Sequence, residues 1–137
     1  MNCPVCREAM IVLELDQVEI DHCVSCKGIW LDRGELELIL EGAPEKNDVL
    51  SSFKVDDGSK EKRRKCPICL KKMEKVICGM SEKVWIDRCP KNDGLWFDLG
   101  ELDEIIKMGH FGGSTKVLDL LKDMFEKEIE SKQGGIR

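Results

Sequence analysis

The sequence predicts a small α+β fold in two tandem copies, each stapled by a bound metal ion. Three observations support it: eight cysteines in only 137 residues, seven of them in C-x-x-C pairs or a broken version of one, and an internal repeat. No apolar run approaches the roughly 20 residues that a membrane span needs. We expect no export signal ahead of Cys3, which favours metal thiolates over disulfides and a cytoplasmic location.

The internal repeat is the strongest sign of organisation. CPVC, starting at Cys3, recurs as CPIC, starting at Cys66, and GIWLDRGEL recurs as GLWFDLGEL 66 residues later. Each copy therefore contains a C-P-x-C pair, two strand-like runs, a second cysteine motif and the start of a helix. The second copy is longer between its cysteine motifs, as an insertion in a hairpin turn would explain.

Each copy is predicted to form a β-hairpin followed by a short helix. The strand-like runs are AMIVLEL and QVEIDH in copy one, and KKMEKVI and EKVWIDR in copy two. Asp32 and Asp98 stand three residues before Glu35 and Glu101, which resembles a capping box with aspartate as the cap.

Two further pairs of residues match between the copies. Gly28 and Gly94 follow the second cysteine motifs, where we expect them to serve the tight backbone of a metal knuckle. Trp30 and Trp96 are expected to be buried over the hairpins.

The domain boundaries follow from the repeat and from composition. Residues 1–42 form the first copy, 43–65 a flexible charged linker, 66–109 the second copy, and 110–137 a C-terminal amphipathic α-helix. Apolar residues at helical spacing over 114–132 predict that helix. Packing on the second copy and binding to a partner or to another copy both remain open for it.

Copy one carries four cysteines that can close a metal site. Four thiolates in two pairs bind zinc tetrahedrally, and such a closed site stabilises folding rather than catalysing a reaction. A copy of some 40 residues buries too little apolar surface to fold alone, whereas zinc contributes of order 10 kcal/mol. His22 is expected to be solvated or to support a ligand. The predicted zinc ligands are Cys3, Cys6, Cys23 and Cys26.

Copy two lacks one of these ligands, because Asn92 stands where copy one has Cys26. Ligation by Asp93 or Asn92 is favoured, with Asp93 the better donor since it is charged. Ligation by Cys78, a water in the fourth position and loss of the metal stay open, although Cys78 is expected at the far end of the hairpin. His110 is a minor candidate in an expected surface loop. The remaining predicted ligands are Cys66, Cys69 and Cys89.

The pattern CPVC…DHCVSCKGIWLDRGEL resembles a small zinc-ribbon family named for its likeness to the zinc ribbon of transcription factor IIB. The resemblance covers residues 2–40 in full and 65–106 with one departure, Asn92. It implies two tandem zinc ribbons, and its name implies a link to transcription. It also implies zinc ligation by Cys3, Cys6, Cys23, Cys26, Cys66, Cys69 and Cys89.

We expect a binding protein and not an enzyme. The sequence contains no Ser-His-Asp set, P-loop, H-E-x-x-H or dinucleotide-binding glycine pattern. The first hypothesis is a zinc-binding adaptor with a protein partner, associated with transcription or translation machinery. A minor alternative is an enzyme with an open zinc site on three cysteines.

Nucleic-acid binding is the second hypothesis. Five basic residues directly precede the second copy and could contact phosphates. Residues 1–42 argue against a broad nucleic-acid surface, since they carry three basic and nine acidic residues. The candidate residues for nucleic acid are Lys60, Lys62, Arg63, Arg64 and Lys65.

Overall fold

The computed structural model describes residues 1–15, 18–41, 46–56, 63–79 and 83–108. Within these ranges the chain forms one antiparallel sheet of seven strands with three short helices. None of the helices in these ranges is long and apolar enough to cross a bilayer. The elements are β1 (Ile11–Leu15), β2 (Val18–His22), β3 (Ile29–Asp32), α1 (Glu35–Ile39), α2 (Lys46–Ser51), β4 (Lys54–Val55), β5 (Glu74–Cys78), β6 (Val84–Arg88), β7 (Gly94–Phe97) and α3 (Glu101–Met108).

Both predicted hairpins are present. Strands β1 and β2 pair antiparallel along their whole length, and β5 and β6 do the same. Each hairpin then pairs with a third strand of its own copy, β3 or β7. Each copy is thus a three-stranded antiparallel unit, built from short runs of β-branched and aromatic residues.

The two copies are joined edge to edge through β3 and β7, which sequence reasoning did not predict as strands. Trp30 pairs with Trp96 at the centre of this junction, and Ile29 pairs with Phe97. Because matched residues are 66 apart, this register relates the copies by an approximate two-fold axis through the tryptophan pair. The strand order is β1-β2-β3-β7-β6-β5-β4. The fold is therefore one continuous sheet, and not two ribbons that are independent of each other.

The two faces of the sheet are covered by two different clusters of buried side chains. Because side chains alternate between faces along a strand, Leu31 and Trp30 point to opposite sides. Leu31 lies in an apolar core with residues of the helices, such as Leu36 and Ile105. Trp30 lies in a second core on the other face, together with Trp96, two methionines and the cysteines of both copies. The metal-binding residues of the two copies therefore share one face of one sheet.

Part of the predicted linker is folded onto the second copy. Helix α2 places Val49 in the core at 1% exposure, and β4 pairs with β5 through Lys54 and Val55. The amide of Asp56 continues this ladder by donating to Lys75 O at 2.8 Å. Residues 46–56 thus belong to the fold of the second copy, and residues 54–56 extend its sheet, while the other domain boundaries stay predictions. The predicted helix over 110–137 lies outside the described residues.

The predicted capping aspartates bind the tryptophan side chains instead. Asp32 Oδ1 accepts a hydrogen bond from Trp30 Nε1 at 2.9 Å. Asp98 Oδ1 accepts the equivalent bond from Trp96 Nε1 at 3.1 Å. A buried indole N–H needs an acceptor, and this need determines where the carboxylates point. In copy two, one half of a capping box does form, because Glu101 Oε1 accepts from the amide of Asp98 at 2.8 Å.

Candidate metal centres

Two cysteine-rich clusters lie on the metal-binding face of the sheet, one in each copy. In the first cluster, the Sγ atoms of Cys3 and Cys26 are 3.7 Å apart. Sulfurs bound to a tetrahedral zinc at about 2.3 Å stand about 3.8 Å from one another, so this spacing suits zinc. The first cluster consists of Cys3, Cys6, Cys23 and Cys26, with all ligand atoms within 4.8 Å of one another.

The first knuckle is the turn of residues 3–7, and its backbone amides point at a cysteine sulfur. The second, third and fourth knuckles are the matching turns that begin at Cys23, Cys66 and Cys89. The amides of Val5 and Cys6 both donate to Cys3 Sγ at 3.3 Å, which stabilises a thiolate there. The turn closes when the Arg7 amide donates to Cys3 O at 2.9 Å, with Arg7 in a left-handed conformation at φ 64°. Lys27 and Leu70 close the second and third knuckles by the same bond to the cysteine four residues before them.

The second cluster uses Asp93 as its fourth donor. Asp93 Oδ2 lies 3.4 Å from Cys89 Sγ and 3.7 Å from Cys66 Sγ. The Sγ atoms of Cys69 and Cys89 are 3.6 Å apart. Three thiolates and one carboxylate are ligands that zinc accepts in a tetrahedral site, so this cluster can also bind zinc. The second cluster consists of Cys66, Cys69, Cys89 and Asp93, with all ligand atoms within 4.8 Å of one another.

The fourth knuckle turns one residue earlier than the other three. Asn92 donates its amide to Cys89 O at 2.9 Å, a bond that spans three residues where the other knuckles span four. Asn92 also takes the left-handed conformation, with φ 64°. Asparagine tolerates that conformation better than most residues do. The next residue, Asp93, is therefore carried into the place of the missing cysteine.

The sequence also allowed other candidates for the fourth position of the second site. Asn92 has an exposed side chain and serves the turn. Cys78 is buried at the far end of β5, where its Sγ lies 3.6 Å from Ser52 Oγ. A carboxylate in the fourth position leaves no need for a water there. His110 lies outside the described residues.

His22 is buried beside the first cluster without belonging to it. Its exposed fraction is 6%, and its Nδ1 is 3.1 Å from Gly28 O. The Gly28 carbonyl also accepts from the amide of Cys23 at 3.1 Å. His22 thus helps to fix the second knuckle, which corresponds to the supporting role that we expected as one option.

Backbone amides favour the thiolate form of one cysteine in each cluster. Burial opposes the ionisation of Cys23, but the amide N–H groups of Cys26 and Ser25 lower the pKa of its thiol to about 7. The amide N–H of Lys71 lowers the pKa of the Cys69 thiol. Since the thiolate is the form that binds zinc, each cluster has a sulfur prepared for the first metal bond.

Glycines make room for the tryptophan of the other copy. A Cβ atom on Gly28 would overlap the Trp96 ring, and one on Gly94 would lie 2.7 Å from Trp30 Cζ2. Neither glycine has a left-handed backbone. As expected, both glycines belong to the knuckle backbone, since their carbonyls accept from the amides of Cys23 and Cys89. Their lack of a side chain also leaves the space that is needed by the indole across the junction. The repeated G-x-W spacing was the signal for this packing.

The glutamates of the repeated D-x-G-E-L motif hold protons near neutral pH. Burial and the neighbouring charge of Asp32 raise the pKa of Glu35 to about 7. Burial raises the pKa of Glu101 to about 8, opposed by its backbone hydrogen bond and supported by the charge of Asp98. Sequence reasoning treated both glutamates as simple helix caps and missed this property.

We expect stability to fall as pH rises from 6 to 8, in part because of Glu101. The folded state keeps the Glu101 proton up to about pH 8, whereas the unfolded chain releases it near its ordinary pKa of 4.5. The folded state thus binds more protons in this window, so its stability decreases with pH. Thermal unfolding of zinc-loaded protein should show a smaller decrease for Glu101→Gln, by a few degrees. The exposed Glu104→Gln is the control, and equal slopes for Glu101→Gln and the unmodified protein would contradict a protonated Glu101.

The described part of the basic cluster adjoins the third knuckle. Arg63 and Lys65 are exposed and Arg64 is half-buried. The carbonyl of Arg64 accepts from the Met73 amide at 2.8 Å, which fixes the chain just before Cys66. Lys60 and Lys62 lie outside the described residues. The three described cations therefore stand beside a metal cluster.

Comparison with known proteins gives one family. The sequence profile of a family described as "Transcription factor zinc-finger" matches residues 2–42 and 65–108, which together exceed half of the chain. Searches of curated proteins and of solved structures returned no significant match. The two matched stretches coincide with the two copies that carry the clusters.

Proposed function

Because the chain belongs to the transcription factor zinc-finger family, we propose that it is a zinc-dependent adaptor that binds other proteins. Zinc holds the two copies in shape, and their joined sheet presents the binding surface. We place the partners within transcription or translation machinery, as the family description suggests. We also place the protein in the cytoplasm, where thiolates stay reduced.

The observation that carries this proposal is the closed donor set of both clusters. Each cluster offers four protein donors within 4.8 Å of one another, with Asp93 completing the second. Four protein ligands leave no open position for a substrate on a tetrahedral zinc. The clusters also lie in the shared core with Trp30 and Trp96. This supports a structural role for the metal and a binding function, and not an enzyme.

The knuckles also carry exposed apolar side chains. Val24 is 53% exposed, Ile68 is 48% exposed and Leu70 is 68% exposed. Such residues next to charged ones are typical of surfaces that bind proteins.

Nucleic-acid binding through Arg63, Arg64 and Lys65 is the second candidate, favoured by their position beside the third knuckle. Self-association through residues 110–137 remains a prediction from the sequence alone.

Affinity capture from nuclease-treated extract of the source cells tests the adaptor proposal. The tagged full chain should retain a protein that, once purified, binds the zinc-loaded chain directly. That binding should be lost after chelation, because the binding surface depends on zinc. Capture of partners only without nuclease treatment would contradict the proposal in favour of nucleic acid.

A further inference from the structure

A cleft of about 660 Å³ lies between the first and third knuckles, the two C-P-x-C turns. We call it the interknuckle cleft. Its volume falls in the range typical of binding sites, roughly 300–1,000 Å³. It is lined from copy one by residues that include Pro4 and Arg7, and from copy two by residues that include Arg64, Lys65, Pro67 and Lys72.

The cleft exists only because the copies are joined. Its walls are matched segments of the repeat, since Pro4 and Pro67 each follow the first cysteine of a knuckle. The pairing of β3 with β7 brings these segments to opposite sides of one opening. A single copy of the repeat would supply one wall, so the site belongs to the tandem protein.

The lining of the cleft is strongly basic in a chain that is acidic as a whole. Among the residues that the structure describes, five cationic side chains and no carboxylate line it, whereas the formal net charge of the protein is −5. Within the described ranges, none of the five forms an ion pair with the chain's own acids. The charge of Arg64 also acts on the buried Asp87 carboxylate, so the other four cations supply most of the charge that is available to an anionic ligand. The five cations are Arg7, Arg63, Arg64, Lys65 and Lys72.

The apolar part of the lining favours a peptide over a nucleic acid. Leu70, Val5 and the two prolines lie among the cations, and Leu70 is 68% exposed. No described residue of the lining is aromatic, so the described walls offer none of the stacking platforms that single-stranded nucleic acids use. Residues 1–42 supply one wall of the cleft and carry nine acidic residues against three basic ones, which disfavours a long polyphosphate.

We propose that the interknuckle cleft binds a short acidic peptide segment of a partner protein, in which acidic and apolar side chains alternate. The proposal rests on the adaptor function and names the chemistry of its partner. Carboxylates of the peptide pair with the cations, while its apolar side chains contact Leu70 and Val5. The ion pairs at this open site give a salt-dependent affinity.

Fluorescence anisotropy of a labelled eight-residue peptide of alternating Glu and Leu tests the proposal. We expect binding to the zinc-loaded chain that weakens as salt is added. The double variant Lys65→Glu with Lys72→Glu should bind about ten-fold more weakly, because two attractive charges become repulsive. The double variant Lys54→Glu with Lys83→Glu is the matched control, since both lysines are exposed and lie outside the cleft.

The outcomes distinguish peptide binding in the cleft from binding elsewhere on the chain and from nucleic-acid binding. Native mass spectrometry first checks that each variant keeps both zinc ions, and Arg63→Glu replaces the cleft variant if it does not. No peptide binding, or equal weakening in both double variants, would overturn the proposal. Tighter binding of an eight-nucleotide oligothymidine than of the peptide would also overturn it, in favour of nucleic acid. If a captured protein partner binds the cleft variant as tightly as the unmodified chain, the cleft is not its binding site. The adaptor function would still stand in that case.

Discussion

Removal of zinc should unfold the joined sheet as a whole. The cysteines of both clusters lie in one core with Trp30 and Trp96, so an empty cluster leaves crowded thiols without the metal that holds them together. Zinc bound to small domains contributes of order 10 kcal/mol, which is comparable to the entire stability of a protein of this size. A chelator should therefore abolish the far-ultraviolet circular dichroism of the strands and shift tryptophan fluorescence to that of exposed indole.

The control for this experiment is the same chelator saturated with zinc, which should leave both spectra unchanged. Metal removal must be verified by mass spectrometry. A chain that is free of metal and keeps its native spectra would show that packing alone holds the fold. In that case, zinc would not be the structural element that the adaptor proposal requires.

The substitution Gly28→Ala should destabilise the protein by about 3 kcal/mol. The added Cβ would overlap the Trp96 ring at the junction of the copies, and overpacking of a core costs this amount. Gly34→Ala is the matched control, since a Cβ there meets open space and only the left-handed backbone, φ 89°, is unfavourable. We expect about 1–2 kcal/mol for that control. Chemical denaturation at constant zinc gives both free energies of unfolding.

A double-mutant cycle tests whether the cost arises across the junction. In a Trp96→Leu background the overlapping ring atoms are absent, so Gly28→Ala should cost much less. A coupling energy above about 1.5 kcal/mol would support direct packing of one copy on the other. If the effects of Gly28→Ala and Trp96→Leu on the free energy of unfolding are additive, Gly28 serves its own knuckle, as its position in the sequence first suggested.

The clusters and hairpins could be predicted from the sequence because their signals are local. Cysteine spacing determines which sulfurs share a knuckle, and alternating apolar residues determine the hairpin of each copy. The junction of the copies could not be found in this way. Strands β3 and β7 are short and overlap the repeated motif after the knuckles, and their partner is another copy of the same motif. Pairing between distant strands leaves no periodic pattern in either one.

The fourth knuckle was predicted in part. The sequence favoured Asp93 as the fourth donor, because it is charged and follows Asn92, and the structure groups Asp93 with the three cysteines. The shortened turn that brings Asp93 there was not predicted, because alignment of the copies places Asn92, and not Asp93, opposite Cys26. The backbone hydrogen bond from Asn92 to Cys89 shows this shortening.

The central claim is that the chain holds two zinc ions, the second through Asp93 in the shortened knuckle. Native mass spectrometry of protein purified without added metal tests it, beside the variants Asp93→Ala, Asp93→Cys and Asn92→Cys. The unmodified chain should carry two zinc ions, and Asp93→Ala should lose one of them at a chelator concentration that the unmodified chain withstands. Asp93→Cys should hold the second zinc more tightly, whereas Asn92→Cys should bring no gain. One zinc in the unmodified chain, rising to two only in Asn92→Cys, would contradict the claim.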